Sequence, residues 1–462
     1  MLEGLDAMDW KELRQAYGSA EEVPGMLHQL LSLDAKERRE AMNWLYNHVS
    51  HQGSRYQATT YVIPFLVELC AETSVPDRFY LLEFWKHLIT GYFNILERPT
   101  WGDGKNIYWY GKLDTEAIEY GWHQELHDIY RESLKGKDLL YELLNDRDRF
   151  IRAGAVGVLA CLPTIQEESV PKLQALLNKE VSEYVRAGIA FALGELEAVD
   201  ILRETVKTEG FTATKCMALC ELARIAPEAS LIEPLLEFVT KPIENYHRIL
   251  GAGGTSTGDA AFSISHLPRH VQQQAIPELC QLLKRTRSFA VMPLVTTLLS
   301  AAFEKRGMPL TELTDIQRLV LSQMLLTDEL WSIGNLMGTM TSYGLPDGVT
   351  GKKEACAKLV GMELAEDKAL TQLRDGLSWA EMGCFLEKAR ERINKALELD
   401  ATVMERTPDL AEAWLLYAKA FAETDPKRAI DAFRKAYSTN PAIINKVAPD
   451  WQLYDLLAQF DF

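Results

Sequence analysis

The sequence predicts an all-α protein: an α-solenoid of stacked helical hairpins over residues 1–345, followed by a short helical-repeat module over residues 352–462. Three observations predict it. Apolar residues recur at i, i+3, i+4 and i+7 almost throughout, the period of a helix with one buried face. Five segments share one register: a basic residue, then a mostly small or apolar residue three on, then a large apolar residue seven on. Near the C-terminus, Ala389, Ile393 and Ala396 return forty residues later as Ala429, Phe433 and Ala436.

The register segments run in order. They are Arg38/Ala41/Leu45, Arg78/Leu81/Trp85, Arg152/Ala155/Leu159, Arg186/Ile189/Leu193 and Lys215/Ala218/Leu222, with Arg287/Ala290/Leu294 as a looser sixth. Positions +3 and +7 share a helical face, so each helix offers a small-then-large stripe to its neighbour. The basic residue then repeats along one surface of the stack. Asp34 and Asp148 stand four residues before Arg38 and Arg152, where they can cap free N–H groups at a helix start. Thr60 to Leu69 is short and apolar, but Pro64 favours the first turns of a helix over a central strand. The segment Gly91 to Trp122 interrupts the register. The stretch 342–354 is turn-rich through Gly344, Pro346, Asp347, Gly348 and Gly351, and marks the join to the second module.

The register resembles the HEAT repeat, best in NDRDRFIRAGAVGVLACLP (145–163) and NKEVSEYVRAGIAFALGEL (178–196). The resemblance covers roughly residues 25–305 and implies a stack of helical hairpins. The C-terminal echo, with Trp414, Tyr417, Ala418 and Phe421 before it and Pro441 after it, is similar to a tetratricopeptide repeat (TPR). One good unit and one partial copy make a cap or short array, not a long superhelix, whose role is either to bind a peptide or to cap the stack. The opening stretches DWKELRQAYGSAEEVP (9–24) and HQGSRYQATTYVIPFLVEL (51–69) resemble a group of bacterial HEAT-repeat proteins, some thought to act as immunity or accessory proteins beside secreted toxins. That resemblance implies an interaction role and supplies no catalytic residue.

Composition narrows the function classes. Of 462 residues, 47% are hydrophobic and 25% charged, enough apolar material for a large core. No apolar run approaches the ~18–20 residues of a membrane span. The N-terminus lacks a basic-then-apolar leader, so a cytoplasmic location is expected. The balance of 49 Lys+Arg against 66 Asp+Glu, net −17, disfavours nucleic acid and suits a basic partner. Seven dispersed cysteines read as reduced, buried thiols.

Candidate contact residues fall in two places. His51-Gln52-Gly53-Ser54 reads as a turn in which Gly53 permits positive φ and Ser54 caps the next helix. A partner-contacting role for His51, Gln52 and Arg55 stands beside that structural one. Gly91 to Trp122 is dense in aromatics, with Trp101, Tyr108, Trp109 and Tyr110 as candidate contacts. Those rings serve either as an interface or as a local core.

No cofactor is expected. His123 and His127 have the four-residue spacing of a two-histidine metal site, but Gln124 follows the first histidine and no third ligand is evident. GAGGTSTGD (251–259) has the glycine spacing of a phosphate loop, but Asp259 and Ala260 follow where Lys and Ser/Thr belong. The expected function is a non-catalytic protein-binding scaffold. Its alternative is an enzyme on a HEAT scaffold, such as a DNA glycosylase-like or bilin lyase-like protein, which fold-level analogy alone permits.

Overall fold

The computed structural model describes residues 1–51, 54–90, 124–244, 246, 254–286, 290–305, 310, 312–327, 330–331, 333, 339–346, 352–362, 368–382, 386–407, 410–440 and 443. These residues are nearly all helical, as the apolar period requires. The chain divides into two compact units, Met1–Ala275 and Ile276–Phe462.

The first unit contains α1 (Val23–Gln29), α2 (Ala35–His48), α3 (Gln57–Ala71), α4 (Arg78–Thr90), α5 (Gln124–Lys135), α6 (Lys137–Leu143), α7 (Arg149–Leu159), α8 (Gln166–Lys179), α9 (Glu183–Glu195), α10 (Val199–Thr208), α11 (Thr212–Ile225), α12 (Ile232–Thr240), α13 (Ser256–Ile264) and α14 (Arg269–Gln272). Helices α4, α7, α9, α11 and α13 form a row in which each packs on the next. From α7 onward, each row helix also packs on the helix before it: α6 on α7, α8 on α9, α10 on α11, α12 on α13. That alternation is a solenoid-like stack. The five register segments lie on α2 and on four of the row helices, and every +3 and +7 residue is at most 3% exposed. Close approach is built in at Gly154 of α7, where an added Cβ would lie 2.8 Å from Cβ of Leu82 on α4.

The repeated arginines do not stand free along a surface. They stitch successive hairpins together. Arg38 Nε donates to Asp77 Oδ2 at 2.7 Å, just before α4. Arg78 Nη1 donates to Asp146 Oδ2 at 3.2 Å, just before α7. Arg152 holds Glu180 through Nε at 2.7 Å and Nη2 at 2.9 Å, just before α9. Arg186 holds Glu209, just before α11, with Nε at 3.1 Å. Three of the four also bind carbonyl oxygens leading into their own helices, whereas Arg78 Nε donates to the Cys70 carbonyl on α3 at 2.9 Å. Arg38 takes Ser32, Arg152 takes Asp146, and Arg186 takes Glu180, all through Nη1. Asp146 and Glu180 are therefore held twice, by the side chain from one arginine and by the carbonyl from the next. The four arginine side chains are only 9–16% exposed.

Local chemistry sets several of the helix starts. Asp34 Oδ1 accepts from Lys36 N and Asp148 Oδ1 from Phe150 N, each at 2.8 Å, as their position predicts. Pro64 lies inside α3 rather than in its first turns. The start of α3 is organised by Thr59, whose Oγ1 accepts from Tyr56 N at 2.9 Å, so Ser54 is not its cap. Instead, Ser54 N closes the preceding turn onto His51 O at 2.9 Å. One non-helical element escapes the apolar period. Arg14–Gln15 and Gly18–Ser19 pair antiparallel as a two-residue-turn hairpin, with Gly18 at φ +132°.

The second unit contains α15 (Ile276–Leu283), α16 (Val291–Ala302), α17 (Asp315–Leu325), α18 (Lys352–Val360), α19 (Lys368–Met382), α20 (Leu386–Leu399), α21 (Leu410–Phe421) and α22 (Pro426–Thr439). The turn-rich stretch 342–354 falls inside this unit, where α17 packs on α18. The repeated residues Ala389, Ile393 and Ala396 on α20, and Ala429, Phe433 and Ala436 on α22, share one core. Helix pairs α19–α20 and α21–α22 pack closely, and Gly376 lets α19 approach the Ala389 carbonyl. The extra stretch after Asp400 forms a short 3-10 turn that buries Val403 and Met404 in the same core.

Candidate functional site

The turn singled out in the sequence follows α2, and its His51 lies in an aromatic corner. The hairpin before α1 places Tyr17, 64% exposed, against the end of α2. Tyr17 Oη is 3.1 Å from His51 Nδ1. Its ring meets His48 at 5.1 Å and His51 at 5.2 Å, both edge-on. Trp44, one helical turn before His48, stacks on that imidazole at 3.8 Å with 6° between the planes. His48 Nδ1 lies 2.8 Å from the Trp44 carbonyl, an acceptor, so Nδ1 carries the proton. Ala16 N donates to His48 O at 2.9 Å and fixes the hairpin to the helix end.

The next layer is partly buried, with Ser50 and Phe84 fully so. Ser50 Oγ is 2.9 Å from His87 Nε2, and Tyr46 packs on both Phe84 and His87. Arg55 Nε and Nη2 donate to the carbonyls of Leu88 and Ile89 at 3.1 and 2.8 Å. Both carbonyls lie in the last described turn of α4, where a cationic donor is favourable. Arg55 ties the turn after α2 to the end of α4, one residue before the aromatic-rich segment begins at residue 91.

His51 and Arg55 are thus brought together, with different jobs: His51 half-exposed in the corner, Arg55 holding a helix end. Gln52, Trp101, Tyr108, Trp109 and Tyr110 lie outside the described residues. Sequence reasoning missed Tyr17, Trp44 and His48. Trp44 and His48 did leave a signal, standing four apart on one face of α2.

Other features fall into structural roles. Five of the described cysteines are buried, and Cys161 is half-buried with its thiol on Gly157 O; Cys384 lies outside the described residues. Burial pushes the Cys70 thiol up to about 12 and Cys280 up to about 11. The hydrogen bond to Cys216 and burial push Cys220 up as well. Thiols so shifted stay protonated and are poor nucleophiles. Arg224 is shared between the buried carboxylates Glu195 and Glu221. Thr255 Oγ1 accepts from Gly258 N at 3.0 Å and Ser256 Oγ accepts from Ile243 N at 2.8 Å, so this end of the glycine-rich stretch caps α13. His123 and the side chain of His127 lie outside the described residues. Among the described residues, no group of three His, Cys, Asp or Glu could hold a metal ion, and no helix is long and apolar enough to cross a membrane.

No family model matches the chain, and no curated protein matches it. A solved structure of an engineered protein aligns over 94% of this chain and 97% of its own, at 15% identity and a TM-score of 0.29. Likeness at that level carries no argument about fold or function.

Proposed function

We propose that the chain is a non-catalytic interaction scaffold, a HEAT-like α-solenoid with a TPR-like module, that binds a specific protein partner such as a toxin in the cytoplasm. The observation that carries this reading is the corner of Tyr17, Trp44, His48 and His51. It combines an exposed phenol, a Trp–His stack and an imidazole, held on a capped helix end. Aromatic groups with few rotors and a polar tip are the kind that dominate interface energies. The arginine rungs support the repeat reading, because they recur at one register position on successive hairpins. The exposed carboxylates Glu3, Asp6, Asp9 and Glu12 precede the hairpin and suit a basic partner.

The test is affinity capture from native lysate with the wild-type chain and the Tyr17→Ala and His51→Ala variants. The wild type should capture a protein in stoichiometric amount, and both variants should lose it at unchanged helicity. If no protein is enriched at any salt concentration, the scaffold reading fails. If both variants capture normally, the corner is not the contact.

A further inference from the structure

The four rungs of the first unit are not equally closed. Arg38 reaches Asp77 through Nε alone, and the Asp77 side chain is 42% exposed. The acids of the later rungs are 17% (Asp146), 2% (Glu180) and 3% (Glu209) exposed. Arg152 and Arg186 each hold theirs through two nitrogens. Asp77 also sits at φ +58°, a left-handed conformation that is unfavourable for a residue with a Cβ. An exposed single-point ion pair adds little stability and is screened by salt, whereas a buried pair is screened much less.

Packing follows the same gradient. Gly154 brings α7 against Leu82 of α4, and Gly194 of α9 leaves no room for a Cβ beside Glu221 of α11. Helix α2 meets α4 at longer reach. Tyr46 lies 4.6 Å from Phe84 and 4.9 Å from His87, and Ser50 Oγ is 2.9 Å from His87 Nε2. These contacts lie in the second half of α2 or just beyond it. The same end is pinned by Thr59 Oγ1, which donates to the Val49 carbonyl, and by Arg55 on the carbonyls of Leu88 and Ile89. The start of α2 is held differently. Among the described residues, the Arg38–Asp77 pair is the only polar contact from residues 35–41 to anything beyond α1, α2 and the turn between them.

We propose that the Arg38–Asp77 pair is a salt-sensitive latch: when it opens, the start of α2 swings off α4 about its pinned end, and the three later rungs stay closed. Gln29 and Ser32 both bond to Glu37, so the end of α1 moves with the start of α2. The motion uncovers Ala41, which is fully buried while the latch is closed. A short helical end that has lost its packing frays, because such segments are marginal in water. The Tyr17 corner stays in place on the pinned end, so the latch does not depend on the scaffold reading.

The test is amide hydrogen exchange of the full chain, followed by mass spectrometry in about 20 mM and about 500 mM NaCl. Residues 39–42 should exchange about tenfold or more faster than residues 187–193 of α9, with residues 46–48 slower than 39–42. High salt should speed residues 39–42 about twofold to threefold and leave α9 unchanged. Arg38→Gln should produce that acceleration at low salt and remove the response to salt. Asp77→Asn should do the same, because asparagine tolerates the left-handed conformation but carries no charge. It decides the matter if Arg38→Gln fails to fold. Exchange at residues 39–42 as slow as in α9, one uniform rate along α2, a salt response of equal size in both helices, or indifference to the two substitutions would each overturn the proposal.

Discussion

Arg152 illustrates how one side chain serves two hairpins. Its guanidinium spans the Glu180 carboxylate and the Asp146 carbonyl, and the Glu180 side chain is only 2% exposed. Replacing Arg152 by Met leaves a buried carboxylate without its counter-charge, which should cost about 3 kcal/mol in urea unfolding. A second change, Glu180→Leu, should recover most of that loss, because the unpaired charge is then gone. A pH dependence follows from the same pair. Burial alone would raise the Glu180 carboxyl, but Arg152 and the N–H groups of Ser182 and Val181 hold it below the usual range. A carboxyl depressed in the folded state adds stability above its unfolded value, and that stability is lost as pH falls through the folded one. Unfolding followed from pH 7 down to about 3 should therefore show a loss below pH ~5 that Glu180→Gln reduces. At Gly154, a Cβ would meet Leu82, whose own Cβ cannot swing aside. Gly154→Ala should destabilise by about 1–3 kcal/mol through separation of α4 and α7, read as a lower thermal midpoint.

At the scale of elements, local rules explain several helix starts. Asp148 caps α7 through Phe150 N, and Asp148→Ala should cost ~1 kcal/mol in chemical denaturation, with a matching loss at Asp34→Ala in α2. Both caps were legible in the sequence, because capping depends on residues two or three apart. The start of α3 was not. Ser54 is the stronger capping residue by type, yet the helix begins after Tyr56, where Thr59 also reaches the Val49 carbonyl of the preceding helix end. A contact between helices decided that boundary. The β-hairpin was missed for a related reason. Its strands are two residues each, too short to show alternation, and it persists by docking Tyr17 and Ala16 on α2.

At the scale of the molecule, the row helices of the first unit are joined by packing and by the arginine rungs, all inside Met1–Ala275. Residues 1–275 expressed alone should keep their helical circular dichroism and unfold in a sigmoidal thermal transition; a featureless melt would show that this unit lacks an independent core. The net charge of −17 acquires a location in part. Asp77, Asp146, Glu180 and Glu209 are neutralised inside the rungs, whereas acids such as Glu3, Asp6 and Asp9 stand on the surface.

The amino-acid sequence by itself determined the all-α class, the register of five helices, two caps and the paired helices of the C-terminal core. The first three depend on residues within one or two helical turns, where spacing alone sets the geometry, and the last on an echo of one such pattern forty residues on. Even the rung acids left a trace, since Asp146, Glu180 and Glu209 each stand six residues before the next basic residue of the register. Only the tertiary structure decided that these acids face the arginine of the preceding hairpin, across 23 to 68 residues of chain. Only it gathered Tyr17, Trp44, His48 and His51 into one corner and set the Phe79, Phe150 and Tyr184 rings against one another across α4, α7 and α9. Those neighbours depend on how one helix sits against the next, a relation set by packing between hairpins and not by periodicity within them.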